Sequence, residues 1–350
     1  MRKNSFFLPS RTVIAGCLFL SLLLPCLPDV TASVYAELIE GEPELHALPE
    51  APALPPDIHS ESDLYIAAAK DEITLLNPQG PVPVPGNVLE KKDIEYGNVN
   101  GRALLLDLYL PRDQDADIPG ILFIHGGGWA SGNRSDYKYY TVRLAQMGYA
   151  VATISYRFVS EASFPACVED AKCAVRWMRA HAKEYRICPD TIAVAGGSAG
   201  GHLAMMTGYS SDIEALEGTG GYPEFSSAVQ AVINLYGPTD LTPVEFHDHP
   251  TLKAFFGGKT FNEAPESYAL ASPIRHLDKS DPPTLVIHGT DDSIVPVAQA
   301  DLLVARLEAL EIPHEYLRLE GYPHTLDIIQ EVNQCVRWHM YRFLEKYLKK

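Results

Sequence analysis

"TIAVAGGSAGGH", residues 191 to 202, sets five residues suited to a buried strand against four glycines packed around Ser198, and an apolar helical pattern follows. Within it, Gly196-Gly197-Ser198-Ala199-Gly200 is a G-x-S-x-G run between an expected strand and an expected helix, the arrangement of a nucleophile elbow. A side chain forced into so sharp a turn needs neighbours without a Cβ, which explains the glycines. By composition alone the five-residue pattern should occur in about one chain in ten of this length, so its weight comes from the strand before it and the helix after it.

Further strands flank the elbow. From Glu90 onward, "LLLDLYL", "GILFIHG", "YAVATISY", "TIAVAGG", "AVQAVINLYG" and "PTLVIHG" are short continuous apolar runs of the kind expected for buried parallel strands. Helical stretches lie between them; from Pro165 to Tyr185, Val168, Ala171, Val175, Met178 and Ala182 recur at spacings of three and four. The alternation predicts an α/β fold with a doubly wound, mostly parallel sheet, helices on both faces, and a ligand site at the carboxyl ends of the strands.

A serine hydroxyl needs a histidine base and a carboxylate to orient that base, in the chain order Ser, Asp/Glu, His. "PTLVIHGTDDSIVP" offers Asp291 and Asp292 just past one strand, and "HEYLRLEGYPHT" offers His324 just past the next. Asp292 lies 94 residues after Ser198, and His324 another 32 after that. Position decides among the other histidines: His314 precedes its strand, His181 and His339 fall on helices, and His288 reads as a satisfied strand-end residue. Asp240 is the rival acid, with a turn or cap as its ordinary role. His247-Asp248-His249 lacks a third ligand nearby and reads as exposed loop, so no metal is expected. "ILFIHGGGWASG" places glycines directly after an early strand, where the N–H groups of Gly126 and Gly127, with that of Ala199, form an expected oxyanion hole. The run lacks the phosphate-binding glycine patterns, and no cofactor is expected.

At the N-terminus, Arg2, Lys3 and Arg11 precede an apolar run from Val13 to Leu27, followed by small residues around Ala32 and Ala36, the layout of a secretory signal peptide over residues 1–32. Residues 33–88 are rich in proline, as in "NPQGPVPVPG" (77–86), and read as a linker or draped arm, with a small packed module within 57–76 as the alternative. The catalytic domain is expected over 89–350. Removing residues 1–32 takes away a net +2 and moves the formal charge from −17 to −19. With no Lys/Arg cluster against that balance, nucleic acid and anionic membrane surfaces are excluded as expected partners, and no segment beyond the signal is apolar enough to span a bilayer. Cys167, Cys173, Cys188 and Cys335 show neither CxxC nor Cys/His metal spacing, and buried free thiols are the ordinary expectation. Residues 240–275, with Phe246, Phe255, Phe256, Phe261 and Tyr268, are expected to form a short cap beside the site.

With His125-Gly126-Gly127-Gly128-Trp129, the elbow at Ser198, and Asp292 and His324 in order, residues 88–348 resemble the hormone-sensitive-lipase-like carboxylesterases of the α/β-hydrolase superfamily. "ISYRF", "FPACVEDAKCAVRWMRAHA", "GGSAGGHLA" and "ASPIRHLDKSDPPTLVIHGTDDSIVP" are more similar to the branch of bacterial acetylxylan and feruloyl esterase-like enzymes. The resemblance implies an α/β-hydrolase fold and a serine esterase acting through an acyl-enzyme, and the signal-peptide layout adds a secreted or periplasmic location. Its substrates would be short-chain acyl or feruloyl esters of carbohydrate, with a general carboxylesterase as the alternative and a serine peptidase or non-catalytic binding protein behind it. It also implies Asp292 over Asp291 as the acid. The chain departs from the lipase-like pattern before the nucleophile, where that group usually carries Asp and this chain has Gly197.

Overall fold

The computed structural model describes residues 44–349 apart from 56, 57, 59, 78 and 79; the expected signal peptide and the first part of the arm lie outside the described residues. Eight strands form one sheet: β1 (Val88–Val99), β2 (Arg102–Pro111), β3 (Ile118–Ile124), β4 (Ala150–Ile154), β5 (Ile187–Gly197), β6 (Ala231–Leu235), β7 (Thr284–Gly289) and β8 (His314–Leu319), in the order β1-β2-β4-β3-β5-β6-β7-β8. The pairs from β4 through β8 are parallel. This is the α/β-hydrolase fold. The "LLLDLYL" run departs from expectation: it is β2, antiparallel to both neighbours, and its apolarity, interrupted by the buried Asp107, reflects burial on both faces, not strand direction. β1 escaped notice because Lys91, Lys92 and Asp93 are exposed on an edge strand whose hydrogen-bonding partner is β2.

Period-two alternation sorts the strand residues onto two cores. Leu122 and Ile124 of β3, with Val194 of β5 and Val286 of β7, pack in one cluster with the helices α3 (Ala166–Ala180), α5 (Ala199–Tyr209) and α8 (Ala298–Ala309). Ile121 and Phe123, with Ala193, Ala195, Leu285 and Ile287, pack in the other with α2 (Lys138–Gln146) and α9 (Gln330–Leu348). The helical pattern from Pro165 is realised in α3, whose Val168, Ala171, Val175 and Met178 are fully buried; it then breaks at His181 before the single turn α4 (Ala182–Tyr185). The cap segment is built of short turns, among them α6 (Pro250–Phe255) and α7 (Pro265–Leu270).

The proline-rich arm does not build a core of its own; it joins one. Helix α1 (Glu61–Ala69), capped by Ser60 accepting from the Asp63 N–H, brings Leu64 and Ala67 into the α9 face, where Leu45, Ile58, Ile73 and Leu75 are also buried. Farther on, Leu75 pairs antiparallel with Ile329, Leu76 N–H donates to Ile328 O at 2.6 Å, and Gln330 N–H donates to Thr74 O at 2.9 Å. Tyr322 and Trp338 donate to the carbonyls of Pro55 and Leu48. The segment lies across the loop between β8 and α9, which is the loop that carries His324.

Among the described residues no helix is long and apolar enough to cross a membrane. All four cysteines there are free thiols, three of them buried and Cys188 partly exposed.

Candidate active site

The strand β5 ends at Gly197 and α5 begins at Ala199, so Ser198 alone makes the turn. It does so at φ +55° and ψ −122°, a conformation a non-glycine residue holds only when its surroundings over-determine it. The surroundings are backbone. A Cβ on Gly200 would lie 2.1 Å from Ile124 O, and one on Gly196 would lie 2.4 Å from Gly200 O. Both must be glycine for β5 and α5 to meet β3 this closely. Ser198 N–H donates to Leu235 O at 2.9 Å, which ties the turn to the end of β6.

His324 arrives from the loop after β8. Its Nε2 is 2.9 Å from Ser198 Oγ, and its Nδ1 is 2.6 Å from Asp292 Oδ2. A carboxylate at Nδ1 places the proton there and leaves the Nε2 lone pair facing the serine hydroxyl. Asp292 is the acid the structure brings to the histidine. Its Oδ1 accepts from the N–H groups of Ile294 (2.9 Å) and Val295 (2.8 Å), and its Oδ2 also lies 3.1 Å from His288 Nε2. Burial pushes this carboxyl up, but hydrogen bonds from His288 and His324, together with their charge, outweigh burial and hold it below the usual carboxylate range. Asp291, its exposed neighbour, instead donates its N–H to Tyr322 O. Asp240 caps its own turn by accepting from Thr242, and His247 donates to Thr242 O while stacking on Phe261 at 3.9 Å. Among the described residues no cluster of three or more His, Cys, Asp or Glu side chains could hold a metal.

The glycine run after β3 passes directly over the serine, and a Cβ on Gly126 would lie 3.3 Å from Ser198 Cβ. Tyr156 hydroxyl donates to the carbonyls of His125 and Gly126, and Gly127 O accepts from Ala130 and Ser131, so these carbonyls are tied away from the serine. Gly127 at φ +101° and Gly128 at φ +59° make the bend. Ala199 is the first residue of α5, and its N–H therefore lacks an intrahelical acceptor. Gly126 thus packs against Ser198, and Ala199 follows it directly at the start of α5. His125, buried and stacked on Tyr156, is pushed down to about 4 by that burial and stays neutral beside them.

A cavity of about 570 Å³, counting its open mouth, adjoins Ser198 and Ala199. Trp129, Leu241, Phe246, Leu252, Ile294 and Val295 line it, together with the exposed His249, whose partial desolvation at the cavity wall lowers its pKa; no Asp, Glu, Lys or Arg is among the lining residues. Of the five cap aromatics only Phe246 reaches this wall. Phe255, Phe256 and Tyr268 are buried among themselves, Phe256 stacking on Tyr268 at 3.8 Å. Sequence reasoning did not identify the lining, because it is assembled from five separate segments with no common spacing. It also read His288 as an ordinary strand-end residue, although its spacing of four from Asp292 was visible. Gly197 has a structural reason: a Cβ there would lie 1.9 Å from the Tyr137 hydroxyl, which occupies the space in front of the nucleophile.

Residues 106–307 match the family model BD-FAE. Esterase LipC of Mycobacterium tuberculosis is 32% identical over 72% of this chain and 65% of its own length. The chain spans 56 to 65% of the length of the curated mycobacterial relatives it matches. A truncated form of a carbohydrate esterase from gut microbiota superposes with a TM-score of 0.66 at 26% identity, covering 75% of this chain and 97% of that one. Butyrate-bound esterase 2 of the planctomycete Thermogutta terrifontis gives 0.63 at 27% identity over 74% of this chain and 94% of its own.

Proposed function

The chain belongs to the BD-FAE family of α/β-hydrolases, and from that premise we propose that it is a serine esterase that cleaves short-chain acyl or feruloyl esters of carbohydrate outside the cytoplasm. One observation carries the reading: the unbroken hydrogen-bonded path from Ser198 through His324 to Asp292 at the carboxyl ends of β5, β7 and β8. The proposed chemistry follows from it. Ser198 Oγ attacks the ester carbonyl carbon while its proton passes to His324 Nε2, and the carbonyl oxygen becomes an oxyanion facing the N–H groups of Gly126, Gly127 and Ala199. When the tetrahedral intermediate collapses, the leaving alcohol takes the proton from Nε2 and the acyl group stays on Ser198. Water then repeats the sequence, losing its proton to His324 and releasing the acid. Asp292, already ionised, supports the imidazolium formed in both halves. Each oxyanion donor in such a site contributes about 10²–10³ in rate.

The acyl part of the proposal is supported by the uncharged, largely apolar cavity beside Ser198, which suits an acetyl, a short aliphatic chain or a ring and offers a carboxylate nothing to pair with. The structural relatives add weight: one is a carbohydrate esterase from gut microbiota, and another holds butyrate. Export rests on the signal-peptide layout of residues 1–32 alone. Ester release from acetylated xylan, methyl ferulate and aryl esters from acetyl to octanoyl tests the substrate, with Ser198→Ala as the control. The expected result is release from at least one of the first two and falling rates on long aryl chains, with Ser198→Ala losing activity by about 10⁴-fold or more. Rates rising steadily to octanoyl with no release from xylan or ferulate make the protein a general carboxylesterase instead.

A further inference from the structure

Behind the histidine lies a second carboxylate that no motif marks. Asp327 is buried, and its two oxygens accept from two phenols: Tyr236 hydroxyl donates to Oδ1 at 2.6 Å and Tyr140 hydroxyl to Oδ2 at 2.9 Å. Tyr236 is also the residue whose ring stands edge-on to His324, with centroids 4.8 Å apart and planes at 66°. It follows β6 directly and holds φ +43°, a strained conformation that keeps the ring between the histidine and the carboxylate. Tyr137 hydroxyl, 3.2 Å from that of Tyr236, closes the cluster on the nucleophile side and stands in the space that Gly197 leaves open. Asn333 Nδ2 donates to Asp327 O, which fixes the turn carrying the carboxylate to α9.

We propose that Asp327 is a positioning residue for His324, fixing the imidazole through Tyr236 and supporting its charged form. This rests on the esterase reading of the site. A purely structural hub for two tyrosines has no need of a carboxylate, because an amide bonds two phenols without the several kcal/mol of desolvation that a buried carboxylate costs. A negative charge is useful here if a positive one forms nearby, and in this reaction His324 becomes positive twice per turnover. Burial raises the Asp327 carboxyl above its ordinary value; the bonds from Tyr236 and Tyr140 and the charge of His324 oppose that push without cancelling it. The other titratable or charged groups around this pair are Asp292 and His288 beyond the imidazole, Tyr137 with Asp136 acting on it, and Arg337 of α9, which bonds Asn333 and Tyr341 and acts on Tyr140.

Asp327→Asn keeps the shape and removes the charge. Losing a negative charge disfavours the imidazolium, so the acid limb of kcat/KM on a soluble aryl ester should move to lower pH by about 0.5–1 unit. Over the same range kcat should fall about 3–10-fold with KM unchanged. Tyr236→Phe, which keeps the ring against His324 but removes the bond to Asp327, should shift the limb in the same direction by less, and it carries the test alone if Asp327→Asn does not fold. A merely structural role lowers the melting temperature and leaves the limb in place. The proposal is overturned if the folded variants show the wild-type limb and kcat while Ser198→Ala is inactive. If Ser198→Ala itself retains ester hydrolysis, the esterase site is wrong and Asp327 is not the cause.

Discussion

Ser198 and His324 sit 2.9 Å apart and are held by different kinds of structure. The serine is fixed from within a few residues: a strand end, a helix start, and glycines at 196 and 200 that let β3, β5 and α5 close on one another in the middle of the sheet. The histidine comes from a loop after β8, an edge strand, where the local grip is Thr325 Oγ1 donating to its backbone carbonyl, which leaves the ring's direction to distant groups. It is held by Asp292 from the loop after β7, by the ring of Tyr236 from the end of β6, and by arm residues 74–76, which pair with 328–330 from some 250 positions earlier in the chain. A nucleophile elbow is therefore a property of a short segment. The base that activates it depends on the whole tertiary structure, and the two should fail in different ways.

The largest effect expected from breaking the histidine side comes from its acid. Asp292→Asn leaves hydrogen bonds to Ile294 and Val295 possible but lets the amide favour the wrong imidazole tautomer, so kcat should fall about 10³–10⁴-fold. Asp291→Asn, altering an exposed neighbour, should change kcat less than about threefold, and steady-state kinetics on one aryl ester compares the two directly. A reversed order would transfer the acid's role to Asp291. The same carboxyl carries a pH signature. Because its folded pKa is depressed, its ionisation contributes stability at neutral pH that is lost as pH falls below the ordinary carboxylate range, so the stability difference between wild type and Asp292→Asn should narrow in acid.

The elbow side should yield a smaller but sharper loss. Gly197→Ala places a Cβ 1.9 Å from Tyr137 Oη, and one of the two must move. We expect kcat to fall about 10–100-fold, with a stability loss of about 1–3 kcal/mol by denaturant unfolding. Adding Tyr137→Phe, which removes the closest atom, should recover part of both. An alanine variant with wild-type kcat would mean the turn has more room than the comparison claims.

The smallest effect belongs to the most distant grip on the histidine. Leu76→Pro removes the N–H that donates to Ile328 O, so hydrogen exchange at residues 328–330 should accelerate while β5 stays protected, and kcat should drop about two- to fivefold with little change in KM. Unchanged exchange in that loop would show that Asp327 and Asp292 hold it without the arm.

What could be read from residues alone follows the same division. The apolar runs from "GILFIHG" to "PTLVIHG" declare buried strands because a strand buried on both faces cannot alternate. The elbow declares itself because its strain is relieved by glycine only within the segment. His324 and the Asp291-Asp292 pair could be placed because the fold puts the carboxyl ends of the parallel strands at one rim, and the family resemblance then chose Asp292 over Asp291. The antiparallel setting of β2 was hidden, since double burial erases the pattern that distinguishes direction, and so was edge strand β1, whose exposed lysines leave no apolar run to mark it. The apolar cavity wall, the arm's pairing with residues 328–330, and the Tyr140, Tyr236 and Asp327 cluster were decided by tertiary structure alone. Each joins residues far apart in sequence, and a one-dimensional pattern records the backbone's local geometry and the burial of its faces but not which distant side chain fills the space opposite.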